Sequence, residues 1–301
     1  MMSLLATSPV LRRERRPLSF WLLGAVFAAF VLFLYGPMFA IFVLSFQGPE
    51  GGLTFPMRGW SLHWFAQLWE GIGVIDIGAA LRRSLLLGTV VMGLTVLFSL
   101  LAGLAYRKKL PGGTLLFYVV VASLIMPSII VSLGVGLMFR LLDGGVKLWL
   151  EAHWPEALDT FTTTLGMFSS GLGAQLTWTL PFGLLIMFAV FNRFNPAYEE
   201  AARDLGATRW QTLRHVVLPL IGPSLVGIGM FGFTLSWDEI ARSSQVMGDV
   251  NTLPLELQGL TTTVTTPVIY ALGTVTTLVS FAVMGLTMVL MAVWRRRQGR
   301  R

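Results

Sequence analysis

The chain has 301 residues, 54% of them apolar and 12% charged, with a mean hydropathy of +0.72, whereas a soluble domain carries about a quarter charged residues. Cysteine is absent, which excludes disulfides and thiolate metal sites, and the three histidines, His63, His153 and His215, are scattered. The net charge of +7 does not point to nucleic acid, because the basic residues stand beside apolar runs, where they orient helices in a membrane.

In chain order, residues 1–16 form a basic tail with Arg12, Arg13, Arg15 and Arg16. The apolar run behind it is too long for a signal peptide and has no small-residue cleavage site beyond it, so the first helix is expected to be retained. Uncharged, histidine-free runs follow at 17–49, 84–106, 110–139, 160–192, 216–237 and 257–294. Each exceeds the roughly 20 residues that cross about 30 Å of hydrocarbon as a helix. Unpaired backbone groups are not tolerated in lipid, and a barrel would show short alternating segments instead. The sequence therefore predicts an all-α membrane protein with spans near 18–46, 84–106, 113–139, 165–192, 219–238 and 267–294. A basic tail closes the chain at 295–301.

Between spans, 47–80 carries Gly48, Gly51, Gly52, Trp60, Trp64 and Trp69, and 141–159 carries Trp149 and Trp154. Both suit short helices at the headgroups, or a docking surface for an external partner. Six of the 22 basic residues, Arg58, Arg82, Arg83, Arg140, Lys147 and Arg242, fall on one side of the spans, and the other sixteen fall with the two tails. The positive-inside rule makes the tail side cytoplasmic. No internal repeat or soluble domain interrupts the pattern.

The connection at 195–219 has a readable local structure. Asn195 suits an N-cap, Pro196 the first helical position, and Glu199 and Glu200 the positive first turn. Gly206 suits a left-handed helix end. Thr208 and Gln211 match a capping box for a second short helix, and Pro219 marks the start of the fifth span. Ala197, Ala201 and Leu205 recur every four residues, a stripe that lets another surface approach closely.

Those residues carry a resemblance. Glu200-Ala201-Ala202, then Gly206 after three residues, Val216 after nine more, and Leu218-Pro219 are similar to the cytoplasmic signature of binding-protein-dependent (type I) ABC importer permeases, with Val216 where isoleucine is common. The resemblance implies a six-span permease fold in the bacterial cytoplasmic (inner) membrane. It also implies that residues 197–206 act as a coupling helix, with Glu200, Ala201, Ala202, Asp204, Leu205, Gly206 and Pro219 contacting or shaping the contact with an ATPase. The partners it implies are a second, similar permease, two ATP-binding-cassette subunits that hold ATP and Mg2+, and an extracytoplasmic solute-binding protein.

Further along, Leu235-Ser236-Trp237-Asp238-Glu239 and the later Thr252-Leu253-Pro254 resemble the polyamine-type branch of that family. Span length places Asp238 and Glu239 at the external mouth, where Ser236 and the ring of Trp237 add a hydroxyl and a face that holds a cation. Many members of the branch carry an acid after the proline of the third span, and here Met126-Pro127 is followed by Ser128. The expected solute is small and polar or cationic, with iron, phosphonates, opines and other small solutes as alternatives. No H-E-x-x-H, G-x-S-x-G or P-loop pattern occurs in the sequence, so neither an enzyme nor a self-contained ATPase is expected. A secondary transporter should show an inverted repeat and buried ion-binding groups, and neither is legible.

Overall fold

In the computed structural model, residues 17–71, 75–107 and 111–298 are described; the basic residues of 1–16, Lys108, Lys109 and the last residues of the C-terminal tail lie outside them. The described residues are mostly helical. In chain order come α1 (Leu18–Leu44), α2 (His63–Glu70), α3 (Ile77–Tyr106), α4 (Gly113–Ile125), α5 (Ser128–His153) and α6 (Pro155–Leu158). A π turn (Met167–Gly171) leads into α7 (Leu172–Arg193), followed by α8 (Ala197–Asp204) and α9 (Arg209–Thr212). A second π turn (Leu213–Val217) leads into α10 (Leu218–Trp237), and α11 (Leu253–Thr263) and α12 (Val268–Gln298) complete the chain. Six helical stretches are long and apolar enough to cross a membrane.

In the first half of the chain, three boundaries differ from expectation. The third span is not one helix: Pro127 disfavours helical backbone at Met126, which is extended at ψ 130°, and the chain divides into α4 and α5. Beyond residue 139, α5 continues to His153 because Arg140, Asp143, Lys147 and Glu151 recur every three or four residues and share a face that an apolar scan reads as a loop. The second span begins at Ile77 rather than 84, capped by Asp76, whose Oδ1 accepts the Ala79 N–H at 2.9 Å.

The centre of the bundle is α3, α7 and α10. Thr95 and Thr179 hydroxyls meet at 2.7 Å and Gly103 lies against Met187 and Phe191, so α3 and α7 run parallel. Gly88 faces Phe233, and Gly229 and Gly232 face Met92, so α10 runs opposite to α3. Small residues at these crossings let helices approach where no hydrophobic force drives them together. The start of α12 packs through Val268, Ala271 and Leu272 on Phe233 and Trp237 at the end of α10. Gly273 near that start meets Ile41 near the end of α1. It follows that α1 begins, and α3, α7 and α12 end, at one face, which also carries Arg107, Arg193, Arg203, Arg209 and Arg214. This is called the basic face below, and its opposite the far face. The large side chains of α1, among them Leu18, Trp21, Phe27 and Phe33, are exposed, a surface fit for lipid or another chain.

Candidate functional site

The basic face carries the connection from α7 to α10. Asn195 Oδ1 accepts the Ala197 N–H at 3.0 Å, and α8 ends in a Schellman cap: Ala207 N–H donates to Ala202 O at 3.0 Å and Gly206 N–H to Arg203 O at 2.8 Å. Gly206 sits at φ +85°, where a Cβ would be strained. The Thr208–Gln211 capping box is formed in both directions. The second helix, however, is not short. It runs from Arg209 to Trp237 as one stretch, so Pro219 lies inside the fifth span rather than at its start. A proline has no N–H and its ring crowds the carbonyl four residues back, here that of His215; the wider π turn at Leu213–Val217 relieves that crowding.

What holds α8 in place is Glu199. It is 9% exposed and pairs with Arg107 at the end of α3 and, at 3.3 Å, with Arg203 one turn on. Arg107 also stacks over Phe191 of α7 at 5.4 Å. The sequence had marked Glu199 only as a first-turn acid, and nothing local pointed to Arg107, which is 92 positions away. With Glu199 turned inward, Tyr198, Glu200, Ala201, Asp204, Leu205 and Gly206 face outward, Leu205 being 90% exposed. Ala202 and Pro219 are half-buried.

At the far face the chain turns back after Trp237. Met247 packs on Leu87 and Val91, residues that lie about 15–20 Å along the axis of α3. The segment 238–252 is thus non-helical backbone at membrane depth, which is tolerated only inside protein or around a cavity. Side chains from four other helical elements hold it. Ser132 Oγ of α5 donates to Arg242 O at 2.9 Å and accepts the Gln245 N–H at 3.2 Å. Ser170 Oγ of the first π turn donates to Val246 O at 2.6 Å, and Ser84 Oγ of α3 accepts the Leu253 N–H at 2.8 Å. Gln175 Nε2 of α7 donates to Ser243 Oγ at 2.8 Å. Gly136 admits the segment: a Cβ there would lie 2.7 Å from Gln245 O.

Within this segment Arg242 is fully buried. Its Nη1 donates to Thr177 Oγ1 at 2.5 Å, and its guanidinium lies 4.8 Å from the centre of the Trp178 ring. Glu239 Oε1 accepts the Arg242 backbone N–H at 3.0 Å. In the sequence Arg242 reads only as an external basic residue.

The other expected path residues are divided. Asp238 is exposed and Glu239 half-buried. Ser236 is buried, and its Oγ has no hydrogen-bond partner. Trp237 offers no free face: it is 3% exposed, stacked on Phe233 at 5.7 Å within the core that joins α10 to α12. Ser128 opens α5 half-buried, one turn before Ser132 and on the same side.

Comparisons with known proteins agree with this architecture. The family described as "Binding-protein-dependent transport system inner membrane component" matches residues 95–297. The chain is 28% identical over 237 residues to the spermidine/putrescine transport system permease protein PotC of Haemophilus influenzae, covering 76% of this chain and 81% of that one. It is 31% identical over 188 residues to the sulfate transport system permease protein CysT of Escherichia coli, covering 62% and 65%. Among solved structures, a bacterial ABC transporter involved in the import of the acidic polysaccharide alginate superposes with a TM-score of 0.61 at 17% identity, over 93% of this chain and 95% of that one. The six spans, the bundle and these matches together show that the chain belongs to the binding-protein-dependent transport system inner membrane component family, as a multi-pass ABC importer permease of the polyamine-type branch.

Proposed function

We propose that the chain forms half of the pathway of an ATP-driven importer for a small polar organic ion, with both termini cytoplasmic, and that α8 couples it to a separate ATPase. The observation that carries this reading is the way α8 is presented. It is capped at both ends and pinned through Glu199 to Arg107, and its Ala201 and Leu205 face is uncovered. A short rigid helix with a small-residue face suits insertion into a cleft on another subunit.

In this reading a second permease completes the pathway, two ATPase subunits bind ATP and Mg2+, and an extracytoplasmic protein delivers the solute. Closing of the ATPases draws the two α8 helices together and turns the pathway outward; hydrolysis resets it. The relatives named for spermidine and putrescine support a cationic solute, as does the carboxylate of Asp238 at the end of α10. The relative named for sulfate supports an oxyanion.

Ala201→Trp tests the coupling. Bulk on the uncovered face is expected to lower uptake about tenfold or more, equivalent to about 1.4 kcal/mol of lost contact, while the transporter still assembles. Uptake and binding-protein-stimulated ATP hydrolysis measured in proteoliposomes check it; unchanged values in both would remove α8 from the coupling path.

A further inference from the structure

The far-face segment holds a buried cation whose hydrogen-bonding capacity is only partly used. Arg242 is 0% exposed, yet its Nε and Nη2 have no hydrogen-bond partner. Only Nη1 is engaged, by the neutral hydroxyl of Thr177. The elements packed around it contribute Ser132, Ser170, Gln175 and Thr177, none of them charged. The carboxylate of Glu239 acts on the guanidinium through its charge, but its hydrogen bond goes to the backbone N–H of Arg242 and not to Nε or Nη2. Among the described residues the two ion pairs are those of Glu199, and neither involves Arg242. A buried guanidinium with unmade donors is strongly unfavourable unless it serves a purpose.

Holding the segment uses only part of the guanidinium. Nη1 ties the segment to Thr177, and Ser132 and Ser170 engage the Arg242 and Val246 carbonyls and the Gln245 N–H, which leaves Nε and Nη2 without a structural task. What a guanidinium adds is a planar fork of donors matched to two oxygens of one oxyanion. The Trp178 ring faces the guanidinium at 4.8 Å and is itself half-buried. Gln175 Oε1, also buried and without a partner, belongs to the same cluster and is suited to a donor on the same solute.

We infer that Arg242 is the recognition group for an oxyanion on the transported solute, a carboxylate, phosphate or sulfate group that takes the free Nε and Nη2 donors when Trp178 moves off the guanidinium. This deepens the importer reading and rests on it. It reverses the polycation expected from the branch.

The test uses the assembled transporter, purified through a tag on this chain together with its solute-binding protein. Thermal midpoints are read with 10 mM sodium acetate, phosphate or sulfate, against sodium chloride of equal ionic strength and against spermidine. At least one oxyanion is expected to raise the wild-type midpoint by about 3 °C, with no rise in Arg242→Gln and a smaller one in Arg242→Lys, whose point charge lacks the fork. Spermidine is expected to give none. The difference between wild type and Arg242→Gln removes the general effect of each salt. If Arg242→Gln fails to assemble, Glu239→Gln decides: removing the nearest acid should enlarge the oxyanion shift.

The inference is overturned if no oxyanion shifts the wild type, if Arg242→Gln responds equally, if spermidine alone protects, or if Glu239→Gln leaves the response unchanged. Binding-protein-stimulated ATP hydrolysis in the same wild-type sample separates the two readings. Its absence sinks the importer assignment, whereas its presence without an oxyanion shift sinks only the role of Arg242.

Discussion

The two connections at the ends of α10 are built in opposite ways. The one before it, 195–217, is stabilised mainly by bonds between residues two to five apart: Asn195 to Ala197, Ala207 to Ala202, Thr208 to Gln211. The one after it, 238–252, is seated by partners 65 to 168 positions away, Thr177, Ser132 and Arg83 among them. The first therefore keeps its shape while standing proud of the bundle, as a part that must fit another subunit should. The second has local turns at 239–246, but its seat in the bundle depends on α3, α5 and α7 being correctly placed around it.

That contrast ranks the effects of substitution. Gly136→Val should be the most damaging, because its branched side chain meets Gln245 O where even a Cβ would be 2.7 Å away; overpacking of this kind costs about 1–3 kcal/mol or more. The thermal midpoint of the assembled transporter should fall, and an unchanged midpoint would show that the segment yields freely. Ser132→Ala should cost somewhat less, about 1–3 kcal/mol, since it strands the Arg242 carbonyl and the Gln245 N–H together. It should depress uptake while basal ATP hydrolysis persists. Thr208→Ala removes only a local cap, worth about 1 kcal/mol, and should leave the midpoint nearly unmoved. Its effect should appear as weaker coupling of hydrolysis to uptake, and a fall in midpoint as large as that of Ser132→Ala would erase the distinction between the two connections.

The same contrast explains what was legible in the sequence. The six spans were, because lipid permits few alternatives and an apolar run of span length is its own signal. The turns of 195–211 were, because caps are written in adjacent residues: Gly206 and the Thr208–Gln211 pair formed as their spacing implies. Glu199 is the first-turn acid its position implies, but its pairing was not legible because Arg107 belongs to another helix, nor was the continuous stretch around Pro219, because a π turn has no plain sequence mark. The return of 238–252 into the bundle was invisible for the same reason as the role of Arg107. Its signals, Ser132, Gly136 and Ser170, are common residues inside apolar runs, and they acquire meaning only once the helices are side by side. Trp237 read as a pathway ring because its neighbours are polar, whereas its own surroundings are Phe233 and the start of α12.

One consequence follows from α3 alone. It ends beside Arg107, which grips Glu199 of α8, and about 24 Å back along its axis Val91 bears on Met247. A stiff rod gripped at one end and loaded near its middle is a lever. A tilt of roughly 10° at the basic face carries Val91 sideways by about 4 Å, close to the spacing of neighbouring Cα atoms and enough to unseat a methionine from its socket.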